Sequence, residues 1–331
     1  MDAYVDPIFE SDNRRSPLVV VDVGASGGAA SRWRRAERHL QLIGFDADQR
    51  APQADESGRN LPVKFLNVAL HREKSRLEFH LTRRQENSSI FMPNREFLDQ
   101  FPESDRYDVV DTVHLEADAL DAQLSTHGIA SVDFIKADTQ GSELFILEGA
   151  EQALRSSVIG LEVEVEFAPL YMGQPLFGEI ERFLTARGFC LMDLRPYYWK
   201  RKGGQHIGGP KGQLVFADAL YLRDLSSLAV LLAGLSSDAE RRAKILHLMS
   251  VCLIYGYLDY AVTAFRQHQA LFSVAESQAA ESAIGHQVSA STRLPRFPGR
   301  GQVAAGLGAL HGILQQSHRG WGSAGPTLGN S

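Results

Sequence analysis

The sequence predicts a doubly wound α/β fold built on a mostly parallel, seven-stranded sheet. Three observations predict it. Short runs of strand-favouring residues alternate with amphipathic helical stretches, the habit of parallel strands covered on both faces. The first run, "VVVDVGASGG" from Val19 to Gly28, passes directly from an apolar strand into a turn of small residues. The last two runs, Cys190 to Leu194 and Leu214 to Leu222, have no helix between them, which marks an antiparallel end to the sheet.

Taken in order, Leu18 to Val23 reads as a strand buried on both faces. Ser31 to Leu40 reads as a helix, with Trp33, Ala36 and Leu40 on one stripe. Leu42 to Phe45 is a second strand ending in Asp46-Ala47-Asp48, and Val63 to Val68 a third, after the polar stretch "RAPQADESGRN". The alternating patterns "RLEFHL" and "VVDTVHL", between residues 75 and 115, predict inserted strands. Val132 to Ala137 is a strand closed by Asp138, and a helix from Ser142 to about Leu154 follows. Val158 to Phe167 is again a strand. Phe177 to Arg187 is an amphipathic helix stopped by Gly188, the usual residue just past a helix end. Ser236 to about Ser273 reads as two helices broken near Gly256. Beyond Glu276 the composition changes: 10 of the last 56 residues are glycine and none is lysine, which predicts a mobile, low-complexity tail. The expected division is a main domain over 1–225, a helical extension over 226–275 and a tail over 276–331.

At 331 residues, with 44% hydrophobic and 22% charged side chains, the chain has the composition of an ordinary globular protein. Its net charge of −6 argues against general nucleic-acid binding, which needs a basic footprint. The balance is uneven: from Ser226 onward eight basic and five acidic residues give +3, so the first 225 residues carry −9. The cysteines Cys190 and Cys252 form no disulfide framework and no metal spacing, as expected in a reducing compartment. The N-terminus is acidic and polar where a cleavable signal is basic and then apolar. The apolar runs near Leu228 to Leu235 and Leu246 to Leu258 are too short or interrupted to span a bilayer. A cytoplasmic protein is expected.

The turn after the first strand raises the question of its ligand. A dinucleotide fingerprint needs Gly-x-Gly-x-x-Gly, but the middle position is Ser26 and the spacing from Gly24 to Gly28 is four. A phosphate loop needs Gly-Lys-Ser/Thr, and Ala29-Ala30-Ser31 has no lysine. Asp22 at the strand end opposes an anion and suits a ligand with a cationic end, such as S-adenosylmethionine. Asp46, 22 residues beyond Gly24, stands where a carboxylate accepts hydrogen bonds from a ribose diol. A tight strand–helix turn with a solvated acid is the bland alternative.

The segment "VDFIKADTQGSELFILEGA", Val132 to Ala150, joins "VVVDVGASGG", "GFDAD", "FLNVALH" and "EVEVEFAPLYMGQPLFGEIERFLTARGF" in resembling the FkbM family of S-adenosylmethionine-dependent methyltransferases. The likeness runs in order over roughly Leu18 to Arg223. Two positions depart from the family pattern: Ser26 replaces an Asn, and Phe45-Asp46-Ala47 replaces Phe-Glu-Pro while keeping a carboxylate. The resemblance implies a class I, Rossmann-like methyltransferase sheet with inserted strands and a C-terminal helical extension, and S-adenosylmethionine as cofactor. Carried over by position, it implies Asp22, Gly24, Ala25, Ser26 and Gly28 around the methionine part. Asp46 would hold the ribose, with Ala47 at the adenine and Asn67, Val68 and Ala69 bordering both. Asp138, at the end of the fourth strand, would face cofactor and acceptor together.

Methyl transfer to a hydroxyl needs a base, and Asp138 is the first candidate, Glu164 the second. No metal is expected, since no further ligands stand at metal spacing. Glu162, Glu164 and Glu166 alternate along one strand and share a face, so Glu166 is expected to reach the strand end or solvent. Glu143 follows Ser142, a good helix N-cap, and also reads as a charge complementing a helix start. His114 and His206 read as structural. In "LRPYYWKRKGGQHIGGPKG", Tyr198, Trp199, Lys200 and Arg201 suggest a mobile loop binding an acidic or phosphorylated glycan. The expected activity is O-methyl transfer to a sugar, glycoconjugate or polyketide-like metabolite. The rivals are a non-catalytic scaffold that meets a protein partner or a second copy through the 226–275 helices, and an RNA methyltransferase, which the acidic core disfavours.

Overall fold

The structure, a computed structural model, describes residues 16–24, 32–33, 36, 39–46, 48, 63–207, 211–291, 297–314 and 321–323. The strands are β1 (Leu18–Val23), β2 (Leu40–Phe45), β3 (Val63–Leu66), β4 (Ala69–Leu70), β5 (Ser75–Thr82) and β6 (Val109–Asp118). They continue with β7 (Phe134–Ala137), β8 (Gly160–Glu166), β9 (Phe189–Trp199), β10 (Gln213–Arg223) and β11 (Trp321–Ser323). The main sheet has the order β11-β9-β10-β8-β7-β1-β2-β3, and β4-β6-β5 form a second, three-stranded sheet. Neighbours from β3 through β8 pair in parallel. β10 is antiparallel to both β8 and β9, so β9 points the same way as the central strands. The strand order reverses between β1 and β7, the switch point outside which open α/β sheets bind ligands. This is the doubly wound, mostly parallel sheet with an antiparallel end that the sequence predicts, and the inserted strands are β5 and β6.

The helices are α1 (Arg95–Leu98), α2 (Leu120–Thr126), α3 (Glu143–Glu148), α4 (Glu151–Ser156), α5 (Phe177–Thr185), α6 (Leu225–Ala233) and α7 (Asp238–Tyr255). They end with α8 (Leu258–Gln267), α9 (Val274–Ser291) and α10 (Arg300–Leu314). One sheet face, with Val21, Ile43, Ile135, Leu161 and Ala219, packs on Leu120, Ile146, Leu147, Leu154, Ile180 and Leu184 of α2 to α5. The other, with Leu18, Val20, Phe134, Ile159, Leu220 and Leu222, packs on α6, α7 and α8. Strand alternation therefore feeds two cores, one per face. Nine apolar side chains from Ile245 to Tyr255 on α7 are at most 1% exposed. At about 1.5–3 kcal/mol per fully buried large apolar side chain, their burial is comparable to or greater than the net stability of a typical domain, ~5–15 kcal/mol. The 226–275 segment is thus a layer of the fold, and the apolar face that the sequence offered to a partner covers the sheet.

Several boundaries differ from those read in the sequence. Of the helix expected over Ser31 to Leu40, only Arg32, Trp33, Ala36 and His39 are described, and β2 already begins at Leu40. The helix expected from Ser142 to Leu154 is divided into α3 and α4 at Gly149, where a Cβ would lie 2.2 Å from the His71 carbonyl oxygen. The break at Gly256 holds, with Gly256 in the left-handed region at φ 80°. The boundary drawn at 276 falls inside α9, whose Ala280 and Ile284 are buried in the same core as α7.

A buried ion cluster fixes α7 to the amino-terminal end of the sheet. Lys244 donates to Asp133 Oδ1 and, at 3.2 Å, to Ser131 Oγ. His247 faces Asp133 Oδ1 with Nδ1 (3.0 Å) and the Ser16 carbonyl with Nε2 (2.8 Å), and the Val19 N–H donates to Asp133 Oδ2 (2.8 Å). Burial pushes the Asp133 carboxyl up, but His247 and Lys244 outweigh it and hold it well below the usual carboxylate range. Asp133→Asn should lower unfolding stability by about 3–5 kcal/mol at neutral pH, because Lys244 stays buried without its anion. A carboxyl depressed in the folded state stabilises above its unfolded pKa, about 3.9, and that contribution fades as pH falls below it. Urea unfolding between pH 7 and 3 should show this slope in the natural protein and lose it in the variant.

Candidate active site

The carboxyl ends of β1, β2, β7 and β8 open into a cleft of about 410 Å³. The sequence explains its floor. Residues directly opposite on paired strands share a face, and Asp22 pairs with Lys136, Lys136 with Glu162, Glu164 with Asp218 and Asp218 with Arg195. A charged row therefore crosses five strands on one face, above the apolar rows that meet α7.

Lys136 is the hub of this row. Its Nζ lies 3.3 Å from Asp22 Oδ1 and 3.5 Å from Asp138 Oδ2. Burial pulls the lysine pKa down, but Asp138 and Asp22 outweigh it and keep the ammonium charged. Burial pushes Asp22 above its usual range against the pull of Lys136. Two carboxylates on one ammonium leave a net charge of −1 at the switch point. Gly24 lets β1 and β7 end this close together: it sits at φ 79°, and a Cβ there would lie 1.9 Å from the Asp138 carbonyl oxygen.

Beyond β7 the chain turns tightly through Asp138 to Ser142. Glu143 is buried and binds this turn: Thr139 donates to Oε1 from N–H (2.6 Å) and Oγ1 (3.0 Å), and the Gly141 N–H donates to Oε2 (2.9 Å). Burial pushes its pKa up to about 7 against these bonds. Ser142 makes no capping bond to α3, and its hydroxyl donates to Thr139 Oγ1 (2.8 Å). Glu143 thus ties the turn together.

The three glutamates of β8 meet three fates. Glu162 accepts from the Tyr255 hydroxyl (2.5 Å) and lies 3.7 Å from Arg32. Glu164 lines the cleft and accepts from Gln140 Nε2 (2.7 Å), and burial followed by the charges of Asp138 and Glu166 pushes its pKa well above the usual range. Glu166, expected to reach the strand end or solvent, is 0% exposed and is pushed up in the same direction by burial. It lies at the far end of β8, under the packed segment of Leu170 and Tyr171.

Of the residues singled out in the sequence, Asp22, Gly24, Asp46, Val68, Ala69, Asp138, Glu164 and Trp199 line the cleft. Asp46 Oδ1 also accepts from the Asp48 N–H (2.8 Å), so one of its oxygens closes its own turn. Ala25, Ser26, Gly28 and Ala47 lie outside the described residues. Asn67 is exposed and does not line the cleft. The segment expected as a loop from Leu194 onward is strand as far as Trp199, paired with β10 from Gln213 to Arg223. Trp199 is 4% exposed, packed edge-on against Phe101 and Phe216. Tyr198 does not line the cleft, and neither do the cations: Lys200 donates to the Ile207 carbonyl and Arg201 to Gln100 and Gln213. His114 and His206 are exposed and outside it too. Sequence reasoning passed over Lys136, Gln140, Tyr107 and Phe216, all in the cleft wall, whereas Tyr197, in the segment expected to hold the acceptor, does line it. The alternation of Asp22 and Lys136 on neighbouring strands was the available signal for the first.

The model of the methyltransferase FkbM domain matches residues 22–191. No curated protein matches the chain. Among solved structures, it is similar to precorrin-6y C5,15-methyltransferase from Geobacter metallireducens GS-15, with 10% identity over 62% of this chain and 82% of the other, at a TM-score of 0.33. The N-terminal domain of EvdMO1 with SAH bound matches at 8% identity over 68% and 81%, with a TM-score of 0.31. Burkholderia thailandensis 1,6-didemethyltoxoflavin-N1-methyltransferase matches at 13% identity over 66% and 80%, with a TM-score of 0.27. Scores this low carry no argument, and the family match stands on its own. It begins at the Asp22 that Lys136 holds and ends within β9, taking in Lys136, Asp138, Glu162 and Glu164, and the chain belongs to the FkbM family of S-adenosylmethionine-dependent methyltransferases.

Proposed function

We propose that the cleft transfers the methyl group of S-adenosylmethionine to a hydroxyl of an acceptor that carries no anionic group: a sugar, a glycoconjugate or a polyketide-like metabolite. The observation that carries this reading is the Asp22–Lys136–Asp138 triad, two carboxylates on one ammonium at the switch point. A sulfonium is a cation and suits such a site, whereas a pyrophosphate does not. The donor set fits the rest of the cofactor: Asp46 for the ribose diol, and the small apolar flank of Val68 and Ala69 for the adenine.

S-adenosylmethionine supplies a methyl already activated on sulfur, so positioning provides much of the acceleration. A hydroxyl is a weak nucleophile until its proton leaves. Asp138, with its side chain 39% exposed on the cleft wall and steered by Lys136, takes that proton. Glu164, buried beside it, is pushed toward its neutral form by burial and by the charges of Asp138 and Glu166. Tyr197 stacks on Phe216 with ring centroids 4.4 Å apart and an angle of 9°, and the pair forms an aromatic wall suited to the C–H face of a ring. The expectation of a phosphorylated guest is withdrawn, since Lys200 and Arg201 stand outside the cleft. Among the described residues its cations are Lys136, held by two carboxylates, and Arg106, lying over the Trp199 and Tyr107 rings.

Calorimetry should show S-adenosylmethionine binding and far weaker NAD binding; the reverse order would overturn the proposal. Asp22→Asn removes one of the two carboxylates on Lys136, so it should weaken S-adenosylmethionine more than the neutral thioether S-adenosylhomocysteine. An equal loss for both would place Asp22 against a part the two share. Asp138→Asn should cut kcat by roughly 10²-fold with little change in cofactor affinity. Labelled-methyl transfer to neutral glycosides and glycolipid extracts gives the assay, and a fully active Asn variant would remove Asp138 as the base.

A further inference from the structure

Gln140 is the described cleft residue whose backbone is hardest to explain by the turn alone. It sits at φ 61°, in the left-handed region that favours Gly, Asn or Asp, and Gly141 follows at φ 101°. A long side chain at such a position points to a use for that side chain. Its amide has both ends engaged. Nε2 donates to Glu164 Oε2 at 2.7 Å and lies 3.5 Å from Asp138 Oδ1, so one NH₂ group serves both carboxylates. Oε1 accepts from the Tyr171 hydroxyl at 3.0 Å, a proton that Tyr171 shares with the Asn87 carbonyl at 2.8 Å. The Gln140 carbonyl accepts from Ser89 Oγ at 2.7 Å. Three segments therefore fix one amide: the turn after β7, the 85–90 loop and the buried Tyr171.

The orientation has a chemical consequence. An oxygen that accepts from an N–H at this distance cannot also carry a proton toward it, so a proton on Glu164 resides on Oε1. We propose that Gln140 is a positioning residue, holding Glu164 by one oxygen so that Oε1 is the atom that bears and exchanges the proton beside Asp138. This rests on the reading of the cleft as a methyl-transfer site and adds an orienting amide to it. Among the described residues, the other ionisable groups that face Glu164 are Asp138, Glu143, Glu166, Asp218, Tyr197 and the buried Tyr107 and Tyr171. All of these are acids or phenols, and they disfavour a second charge on Glu164, whereas a donated N–H favours the ionised form.

The test separates positioning from turn-making. Asn suits the positive φ at least as well as Gln but is one methylene too short to keep the Nε2–Oε2 contact. The Glu164 carboxyl can be followed by isotope-edited infrared or carboxyl NMR titration of the full chain, with Glu164→Gln identifying its signal by loss. Gln140→Asn should keep the melting temperature and raise the Glu164 midpoint by about one pH unit, and Gln140→Met should raise it in the same direction. An unchanged midpoint in both variants would overturn the proposal and leave Gln140 as a turn residue. Because the titration needs neither cofactor nor acceptor, its outcome is independent of whether S-adenosylmethionine binds.

Discussion

The contact on which the rest of the site depends is the ammonium of Lys136 between Asp22 and Asp138. β1 and β7 are adjacent parallel strands whose carboxyl ends part into the crevice, and each ends in an acid. Two carboxylates at that distance repel, and both are partly withdrawn from water. A cation on the same face, one pairing position from Asp22 and two residues before Asp138, removes the repulsion and holds the two strand ends together. Gly24 then allows the β1 turn to approach the Asp138 backbone. Without the lysine, one acid would take up a proton and the two strand ends would lose the cation that holds them together.

The same periodicity divides the sheet face into two regions. Along β1 and β7, Leu18, Val20 and Phe134 belong to the core that α7 covers, while Asp22 and Lys136 face the cleft. The change from apolar to charged along each strand therefore places the cleft beyond the point where α7 stops covering the sheet. Tyr255, the last residue of α7, stands at that border and donates to Glu162. Its ring lies 5.6 Å from Phe134 in a stacked arrangement, so one side chain belongs to the core and to the polar row at once.

The fold was largely legible in the sequence, because buried parallel strands leave continuous apolar runs and each run here falls on a strand of the structure. Boundaries were less so. Tyr197 to Trp199 were read as loop because "KRKGG" follows immediately, but pairing with β10 and the aromatic packing of Trp199 carry β9 to its end. The acids of the site were legible for a related reason: Asp22, Asp46 and Asp138 each end an apolar run. What composition could not give was partnership. Lys136 interrupts an apolar run and Gln140 lies in a polar turn, and the use of each depends on neighbours 114 and 24 residues away. Lys200 and Arg201 misled for the same reason, since their partners, Ile207, Gln100 and Gln213, all lie outside the cleft.

Glu162, Glu164 and Glu166 show how one strand can offer three environments within a few residues. Alternation brings all three to one face, and burial alone would push each toward its neutral form. Glu162 is relieved by a phenol and a nearby guanidinium, which face it from α7 and from Arg32. Glu166 is enclosed at the strand end and receives little relief. Glu164 lies between them, open to the cleft on one side and held by a single amide on the other. A carboxyl pushed toward its neutral form beside one that is paired with a lysine is the arrangement in which two like groups take different roles. The asymmetry arises because Lys136 reaches Asp138 at 3.5 Å, whereas Gln140 gives Glu164 a dipole and no charge.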